Sequence, residues 1–505
     1  MPEASVLRLH GDDNIVVALS RLGEGTALEN GIATAERIMA GHKVATQPIA
    51  AGEPVRKFGQ IIGYASTAVD PGQHVHTHNC DMGEHDRDYQ FGIEAGIVLP
   101  AEKPLTFQGY RRSDGRVGTR NYVAICSSVN CSATVCRYAA DEINHSGILE
   151  DYQNVDGIVA FSHGTGCGIA GDGEGFDNLE RVIWGHATHA NVGAALFIGL
   201  GCETFQLARM AEKYDISDPR RFHRMTIQGT GGTRKTIEQA VAKIRELLPL
   251  VNDISRTECP ASGLKVALQC GGSDGLSGVT ANPALGHAVD LLVAQGGTGI
   301  LAETPEIYGA EHLLVRRAAS EKVGRKLIER IEWWEDYTAR NRGEMNNNPS
   351  PGNKAGGLTT ILEKSLGAAA KGGTTPLTGV YHYGERVDTP GFVFMDSPGY
   401  DPASVTGQIA AGANLVCFTT GRGSAFGSKP APTVKLATNS RTYENMTEDM
   451  DINCGDIAEG KSTVEEKGRE ILTRFLAVAS GERSKSEALG LGDNEFVPWQ
   501  IGATM

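Results

Sequence analysis

The sequence has a shortage of positive charge and no long apolar run, and each of these absences excludes a class of partner. Its 47 lysines and arginines are outnumbered by 61 acidic residues, which leaves a formal net charge of -14 at pH 7. A surface of that sign repels polyanions, so nucleic acid and anionic membranes are excluded as partners. No apolar stretch reaches the length of a membrane span. Residues 1–14 lack the basic segment followed by an apolar one that begins a signal peptide, so we expect a cytoplasmic protein.

Cysteine pairs of the CxxC type are also absent, although the chain contains ten cysteines. Their absence argues against a zinc ribbon or zinc knuckle. Ten cysteines spread over 505 residues do not form a disulfide framework either. We therefore interpret them as thiols, some of which are available to ligate a metal.

The chain is too long for one hydrophobic core, and its patterns divide it into three units. Short alternating runs separated by glycine and proline turns predict a small β-rich unit over residues 1–97. Apolar runs alternate with helical patterns over residues 106–252 and, in a larger region, over residues 262–505. Such alternation is typical of parallel sheets covered by helices. The predicted fold class is α/β, with a β-rich module followed by two α/β regions whose sheets are largely parallel.

Four cysteines follow apolar runs in these α/β regions, each beside a glycine-rich turn: Cys131, Cys167, Cys202 and Cys270. In an open parallel sheet, ligands bind beyond the carboxyl ends of the strands. His163, in SHGTGCG, adds a nitrogen donor, and thiolate with imidazole suits Fe(II) or zinc. The alternative is that cysteine is simply a small residue favoured in protein cores.

HVHTHNC, residues 74–80, places His74, His76 and His78 at alternate positions. On a β-strand the three imidazoles would lie on one face. We predict that they face the α/β body, with His74 and His76 as metal ligands and His76 also as a proton donor. The alternative is a polar strand face at a domain interface.

Glycine-rich loops in the α/β regions carry polar residues suited to an anionic ligand. The candidate binding residues in these loops are Arg120, Ser273, Asp274, Asn282, Asn353 and Arg422. Lys354, in NPSPGNKAGG, and Glu303 and Glu306, in ETPEIYG, are candidates for acid–base chemistry, as is Lys364. For each of them a structural or surface charge is the alternative.

At these motifs the sequence resembles the altronate and galactarate dehydratases, bacterial enzymes that remove water from sugar acids. The motifs are YRRSDGRVGTRN, FSHGTGCG, IGLGCE, QCGGSDGLSGVTANP, ETPEIYGAEHLL, NPSPGNKAGGLTTILEKSLG, SPGYD, TTGRG, PTVKLATNS and MDINCG. The N-terminal unit resembles the small β-clip module called the SAF domain, which this family carries before its catalytic part. HVHTHN, SDGLSG and PEIYGAEHLL place the sequence nearer to the altronate branch.

The resemblance implies a lyase that converts D-altronate to 2-dehydro-3-deoxy-D-gluconate and water. A base would remove the C2 proton and hydroxide would leave from C3. Fe2+ is the implied cofactor, with Mn2+ as a substitute, and an iron–sulfur cluster held by three thiols is the rival. We place the metal near Cys131, Cys167, Cys202, Cys270, His74 and His76. The catalytic candidates are Lys354, as base or carboxylate anchor, together with Glu303, His163 and His76, while Arg120 and Arg422 would bind the substrate.

Other functions stay open at this point. Galactarate or another aldonate or aldarate could be the substrate, and the superfamily also includes sulfolactate sulfo-lyases. A catalytically inactive carbohydrate-binding protein is the non-enzymatic alternative. In each case the expected ligand is a small anionic sugar acid or a related acid. A chain of this size commonly self-associates, so we expect a homo-oligomer.

Overall fold

The N-terminal module contains two antiparallel sheets with the strand orders β1-β2-β3-β6 and β4-β5-β7. The structure, a computed structural model, describes residues 6–83, 87–214, 216, 218 and 220–505. The module's strands are β1 (Val6–Leu7), β2 (Ile15–Ala18), β3 (Lys43–Ala45), β4 (Pro54–Lys57), β5 (Gln60–Ala65), β6 (His74–Val75) and β7 (Cys80–Asp81). Its core, which includes Ile15 and Val75, also contains Leu276 and Leu366 from the C-terminal region. The module is therefore packed onto that region through shared apolar contacts.

The second region is built around a parallel sheet with the strand order β11-β10-β12-β13. Its strands are β8 (Thr106–Arg111), β9 (Val117–Gly118), β10 (Tyr122–Ser127), β11 (Gly157–Phe161), β12 (Val192–Gly199) and β13 (Phe222–Thr226). Its helices are α1 (Asn130–Asn144), α2 (Glu174–Ala187), α3 (Leu207–Lys213), α4 (Ile227–Thr230) and α5 (Thr233–Asn252). Val123 packs in one core with Val135 of α1, whereas Ala124 packs in another with Val182 of α2. Successive residues of β10 thus face helices on both sides, which explains why this strand is apolar throughout.

The C-terminal region contains a seven-stranded parallel sheet with the order β17-β18-β16-β15-β19-β20-β21. Its strands are β14 (Thr257–Pro260), β15 (Lys265–Cys270), β16 (Thr298–Leu301), β17 (Leu377–Tyr381), β18 (Gly391–Met395), β19 (Leu415–Thr420), β20 (Thr433–Ala437) and β21 (Ile452–Asn453). Strand β14 pairs antiparallel with β8 and so joins the second and third regions.

Helices cover this large sheet. They are α6 (Ala281–Ala294), α7 (Glu311–Arg316), α8 (Glu321–Arg340), α9 (Pro351–Ala355), α10 (Ile361–Ala369), α11 (Asp401–Ala410), α12 (Ser440–Asn445), α13 (Gly455–Ala458), α14 (Val464–Ala479) and α15 (Lys485–Ala488). Short 3₁₀ turns occupy Glu29–Gly31, Ile148–Asp151, Ala261–Gly263, Thr304–Glu306, Met345–Asn347 and Ala370–Gly372. Among the described helices, none is long and apolar enough to cross a membrane.

The strand order of the large sheet reverses at β15. The chain proceeds from β15 to β16 on one side, and it later returns to β19 on the other side. Ligands of such sheets bind at this switch point, beyond the carboxyl ends of the strands. The predicted α/β class, with a β-rich module and largely parallel sheets, is confirmed, whereas the exact domain limits stay predictions.

Candidate active site

A cleft of about 380 Å³ lies at the carboxyl end of β15, at the switch point of the large sheet. It is lined by Cys270, Gly271, Gly272, Glu306, Asn347, Asn348, Ser350, Asn353, Lys364, Gly399, Tyr400 and Asp401. Each of the elements around it contributes a different group: a thiol from the end of β15, a carboxylate from the turn after β16, an ammonium from α10 and a second carboxyl from the start of α11. The cleft is therefore polar and holds both signs of charge.

Behind the cleft lies a fully buried cluster of thiol, ammonium and carboxyl groups. The Lys371 ammonium is 2.8 Å from the Cys270 sulfur and 3.5 Å from Glu303 Oε2. The Cys270 sulfur lies 3.3 Å from Glu306 Oε2, and Lys364 Nζ lies 2.7 Å from Glu306 Oε1. Each ammonium group of this cluster thus has a carboxyl group or a thiol beside it, as the burial of a charge requires.

The protonation states in this cluster follow from burial and from the neighbouring charges. Burial raises the pKa of Cys270 to about 12, despite the opposing pull of Lys371. Burial, reinforced by repulsion from Glu306, holds the pKa of Glu303 well above its usual range. Burial also opposes ionisation of Glu306, but Lys364 and Lys371 outweigh it and lower its pKa. At neutral pH, Glu306 is therefore ionised and Cys270 keeps its proton, while ionisation of Glu303 is disfavoured.

Glu303 has two further unusual features. Its backbone lies in the left-handed region at φ +69°, which is strained for a residue with a side chain. Its Oε1 atom is buried and has no hydrogen-bond partner among the described residues. Strain and unsatisfied polar atoms of this kind concentrate at functional sites, which supports the assignment of Glu303 to the reaction.

Asp401 is the ionisable group of the cleft that titrates nearest to neutrality. Burial, with repulsion from Glu306, raises its pKa to about 7 against the opposing effect of Lys364 and Lys371. A Cβ atom at Gly271 would lie 2.3 Å from Asp401 Oδ2, so glycine is required beside this carboxyl. Asp401 can thus exchange a proton near neutral pH, as general acid–base catalysis needs.

Three imidazoles of the N-terminal module form a separate cluster. Donor atoms of His42, His74 and His76 all lie within 4.8 Å of one another. His42 Nδ1 is 2.9 Å from His74 Nε2, and the rings of His74 and His76 are stacked with their centroids 5.2 Å apart. Only His74 lies on strand β6 (His74–Val75), so the three alternate histidines do not share one strand face. His74 and His76 nevertheless lie together, His78 is exposed and outside the group, and the structure adds His42 to the pair. Their role as metal ligands stays a prediction.

The chemistry of this histidine cluster fits a divalent metal. Burial lowers the pKa of His74 to about 3 and that of His76 to about 4, so both rings are neutral, which is the ligating form. His76 Nδ1 is buried and has no partner among the described residues. His42 Nε2 lies 3.4 Å from the Ala355 carbonyl, the kind of contact that orients a metal-bound imidazole through its other nitrogen.

Cys270, Glu303 and Glu306 form a second set of donors within 4.8 Å of one another. This set does not fit a metal as well. Lys371 already contacts the sulfur and Lys364 the Glu306 carboxylate, and the thiol keeps its proton. A cation placed there would meet two ammonium groups.

The histidine cluster and the cleft contact the same segment of chain. His42 reaches the Ala355 carbonyl at the end of α9. Asn348 and Asn353, on the same segment, line the cleft, and Asn348 Oδ1 accepts a hydrogen bond of 2.6 Å from Lys364. Residues 348–357 therefore connect the module's imidazoles to the cleft.

The other predicted metal ligands lie in the second region, apart from Cys270. Cys131, Cys167 and Cys202 follow β10, β11 and β12 and are exposed. His163 is buried, where its Nε2–H donates to the Ser127 carbonyl at 2.9 Å and its Nδ1 accepts from the Thr165 N–H at 3.2 Å. Both nitrogens of His163 are thus engaged in local structure, and burial lowers its pKa to about 4.

The predicted substrate-binding residues fall into two groups. Arg120 has no N–H group left to donate to a substrate. All five are engaged, by Glu487 and by the carbonyls of Thr119, Val478 and Glu482. Asp274 and Asn282 are buried and hold loops together: Asp274 accepts from Ser277, Thr438 and Asn439, and Asn282 bonds Gly367 and Thr419.

The remaining predicted residues lie at or near the cleft. Asn353 lines it and donates to the Ser273 carbonyl at 2.8 Å. Arg422 is exposed, and its Cβ lies beside Gly272, which also lines the cleft. Lys354 is half-buried on α9 and is not one of the residues lining the cleft.

Three residues of these sites were missed by the sequence reasoning: His42, Lys371 and Asp401. SPGYD, one of the motifs on which the resemblance rests, contains Asp401 and could have drawn attention to it. His42 and Lys371 carry no comparable signal. His42 is brought close to His74 only by the pairing of β3 with β6, in which its near neighbour Val44 lies opposite His74.

The fold is that of a multidomain enzyme. Its α/β body has a reactive cleft at the switch point of the large sheet, and a β-rich module is docked beside it. The chain belongs to the altronate/galactarate dehydratase family. The family's SAF domain matches residues 4–83, the second domain of D-galactarate dehydratase/altronate hydrolase matches residues 109–252, and the C-terminal domain of D-galactarate/altronate dehydratase matches residues 261–504. The resemblance drawn from the motifs is confirmed.

Curated relatives cover almost the whole chain. It is 36% identical over 483 residues to an altronate dehydratase of Bacillus subtilis (strain 168), covering 95% of each chain. It is 36% identical over 489 residues to an altronate dehydratase of Escherichia coli (strain K12), covering 95% of this chain and 96% of the other. It is also 36% identical over 492 residues to a galactarate dehydratase (L-threo-forming) of the same organism, covering 95% and 94%. Overall identity therefore does not separate the two substrates.

Proposed function

We propose that this protein is a hydro-lyase that converts D-altronate to 2-dehydro-3-deoxy-D-gluconate and water. The observation that carries the proposal is Asp401, a carboxyl that titrates near neutrality in the same cleft as the Lys364 ammonium. Elimination of water from a sugar acid needs a base for the C2 proton, cations for the substrate carboxylate and a proton for the departing hydroxyl. The cleft and the buried cluster behind it together offer a candidate for each of these.

In this proposal Asp401 is the base. Its ionised form accepts the C2 proton, while Lys364, Asn348 and Asn353 bind and orient the substrate. Arg422, beside Gly272, adds a second cation at the edge of the cleft. The proton for the leaving hydroxyl is assigned to Glu303, because its raised pKa favours the protonated form and its Oε2 lies 3.9 Å from the Cys270 sulfur on the cleft wall.

The cofactor in this proposal is Fe2+, with Mn2+ as a substitute, held by His42, His74 and His76. When bound, such a cation supplies Lewis-acid stabilisation of the negative charge that develops next to the carboxylate. The support is the neutral, clustered imidazoles and the unpartnered Nδ1 of His76.

Anaerobic turnover tests the proposed reaction. The full chain is incubated with Fe2+ and D-altronate, and 2-keto acid formation is measured, with Asp401→Asn as the inactive comparison. We expect product from the wild-type chain only. Product from Asp401→Asn at the wild-type rate would remove Asp401 from the mechanism, and no product from any sugar acid would refute the hydro-lyase assignment and favour a carbohydrate-binding protein.

Galactarate is the second candidate substrate, because the identity to a galactarate dehydratase equals that to the altronate dehydratases. The two acids differ in the configuration of their hydroxyl groups and in the group at C6, which is a carboxylate in galactarate. A side-by-side comparison of kcat/KM decides between them, and turnover of sulfolactate in place of either would indicate a sulfo-lyase.

We further propose that the protein works in the cytoplasm as a homo-oligomer. All ten cysteines are free thiols in the structure, which suits a reducing compartment. The exposed apolar side chains of Ile93, Ile97 and Leu99 lie close together in sequence and would be covered by a second copy. Light scattering of the purified chain measures the oligomeric state, and a monomer would contradict this part of the proposal.

A further inference from the structure

The exposed cysteines of this protein are confined to one edge of one sheet. Cys131, Cys167 and Cys202 are exposed, whereas the other seven cysteines are buried. We infer that these three thiols form a second metal site, separate from the histidine cluster, and that the site holds an iron–sulfur cluster. The inference does not depend on the proposed reaction.

Topology brings the three thiols to a common edge. Strand β10 lies between β11 and β12, and all three strands are parallel, so their carboxyl ends meet at one edge of the sheet. Cys131 lies in the first turn of α1, directly after β10. Cys167 and Cys202 lie in the loops that follow β11 and β12. Each neighbouring strand therefore contributes one thiol.

Hydrogen bonds between flanking residues hold the three loops together. The Asn130 N–H donates to the Thr165 carbonyl at 2.9 Å, and the Phe205 N–H donates to the Gly166 carbonyl at 3.1 Å. The buried Ser128 hydroxyl donates to Glu203 Oε1 at 2.6 Å. Residues adjacent to each of the three thiols are thus fixed with respect to the others, as a preorganised site requires.

Glycine permits the closest of these approaches. Gly166, next to Cys167, has φ +98°, and a Cβ there would lie 2.2 Å from the Ser128 carbonyl oxygen. A side chain at this position would separate the Cys167 loop from the end of β10. The glycine before Cys167 therefore has a structural role in bringing that thiol towards Cys131.

The C-terminal region also contacts this edge. The Met505 N–H donates to the Gly168 carbonyl at 2.8 Å, and Thr504 forms a bridge with Ile169. Residues from the far end of the chain thus hold the residue that follows Cys167, although the thiols themselves stay exposed.

The three sulfur atoms are too far apart to bind a single ion together. A zinc ion with Zn–S bonds of about 2.3 Å needs thiolates about 4 Å apart. Among the described residues, the groups of three donors whose atoms all lie within 4.8 Å of one another do not include these thiols. A cluster of several irons bridged by sulfide spans a wider set of thiolates, and cysteine thiolates are its usual ligands. Three thiols would leave one iron of a cubane without a protein ligand.

Iron and sulfide analysis of the full chain tests this inference. The anaerobic protein is reconstituted with Fe2+ and sulfide, freed of excess reagent, and assayed for iron, acid-labile sulfide and visible absorption. We expect about four irons and four sulfides per chain, with a broad band at the blue end of the visible range. The variant with Cys131→Ser, Cys167→Ser and Cys202→Ser should lose the sulfide and the band.

Two controls keep the result interpretable. Cys259→Ala removes a buried thiol of β14, outside this edge, and should keep the cluster. Circular dichroism shows whether the triple variant folds, and if it does not, the single Cys167→Ser variant replaces it. Two results would overturn the inference. One is that the serine variants bind as much iron and sulfide as the wild type. The other is that the folded wild type binds iron without sulfide, or binds neither of them. This assay measures iron, sulfide and absorption but not turnover. Its result is therefore independent of whether the proposed dehydratase reaction is correct.

Discussion

Lys43 of the N-terminal module donates to Glu363 of α10 across 2.8 Å, and both side chains are fully buried. Lys57 donates to the other oxygen of the same carboxylate at 2.9 Å. Burial opposes ionisation of Glu363, but the two ammonium groups outweigh it and hold its pKa far below its usual range. One carboxylate therefore binds two strands of the module to the body of the protein and positions the histidine cluster next to α9.

Replacing this carboxylate should destabilise the protein. Glu363→Gln leaves two buried ammonium groups without a counterion, and we expect a loss of about 3–5 kcal/mol in the free energy of unfolding. Because the pKa of Glu363 is depressed on folding, its contribution is present at neutral pH and is lost only in acid. Chemical denaturation followed by circular dichroism measures the change. Glu329→Gln, at an exposed position of α8, is the control, and equal midpoints for the two variants would contradict the prediction.

The pH dependence of turnover should follow Asp401. A base must be ionised, and burial raises its pKa to about 7, so we expect kcat/KM to rise with pH through about 7. Asp401→Asn should lower kcat by a factor of about 100 to 10,000 and remove this rise. Asp253→Asn, at an exposed position before β14, should leave both unchanged. A wild-type profile that falls as the pH rises through 7 would argue that the group acts as an acid instead.

Two lysines on neighbouring helices make a matched comparison. Lys364 lines the cleft, whereas Lys354 does not. Lys364→Met should lower kcat/KM by about ten- to a hundredfold, because a hydrogen bond to a charged group is lost. Lys354→Met should retain turnover near the wild-type value. Loss of turnover in Lys354→Met, with Lys364→Met active, would restore Lys354 as the base or carboxylate anchor predicted from the sequence.

Metal content should depend on His42 as much as on His74 and His76. His42→Gln removes one of the three clustered donors, and we expect the affinity for Fe2+ or Mn2+ to fall at least about tenfold. Isothermal titration calorimetry with Mn2+ measures this without any need for turnover. His78→Gln is the matched control, since His78 is exposed and lies beside His74 but outside the group of three. If His42→Gln binds Mn2+ with unchanged affinity, the histidine cluster has a purely structural role.

The sequence was informative where a pattern repeats locally. Apolar runs and amphipathic periods predicted parallel sheets because burial on both faces makes strands such as β10 continuously apolar. Cys270, predicted at the end of an apolar run, is the last residue of β15 for the same reason. Its partners were not predicted, since Lys371 comes from the turn after α10 and Asp401 from the start of α11, and only the reversal of strand order at β15 brings these segments to one cleft.

The sequence was least informative about which donors meet. Four thiols after four strands were expected to share one metal, but Cys131, Cys167 and Cys202 belong to one parallel sheet and Cys270 to another. The sequence predicts Arg120 as a substrate-binding cation in a glycine-rich loop, yet its N–H groups are engaged by chain segments more than 350 residues away. Spacing along the chain contains no information about such contacts.

The sequence by itself determined the fold class, the family and the inventory of reactive groups, because strand and helix periods and the order of motifs are properties of the chain alone. Only the tertiary structure decided which of those groups form a site and in which protonation state. Burial and the charge of Glu306 raise the pKa of Asp401 to about 7 and hold that of Glu303 well above its usual range. Desolvation and charge–charge interactions depend on distances in space, and folding sets those distances.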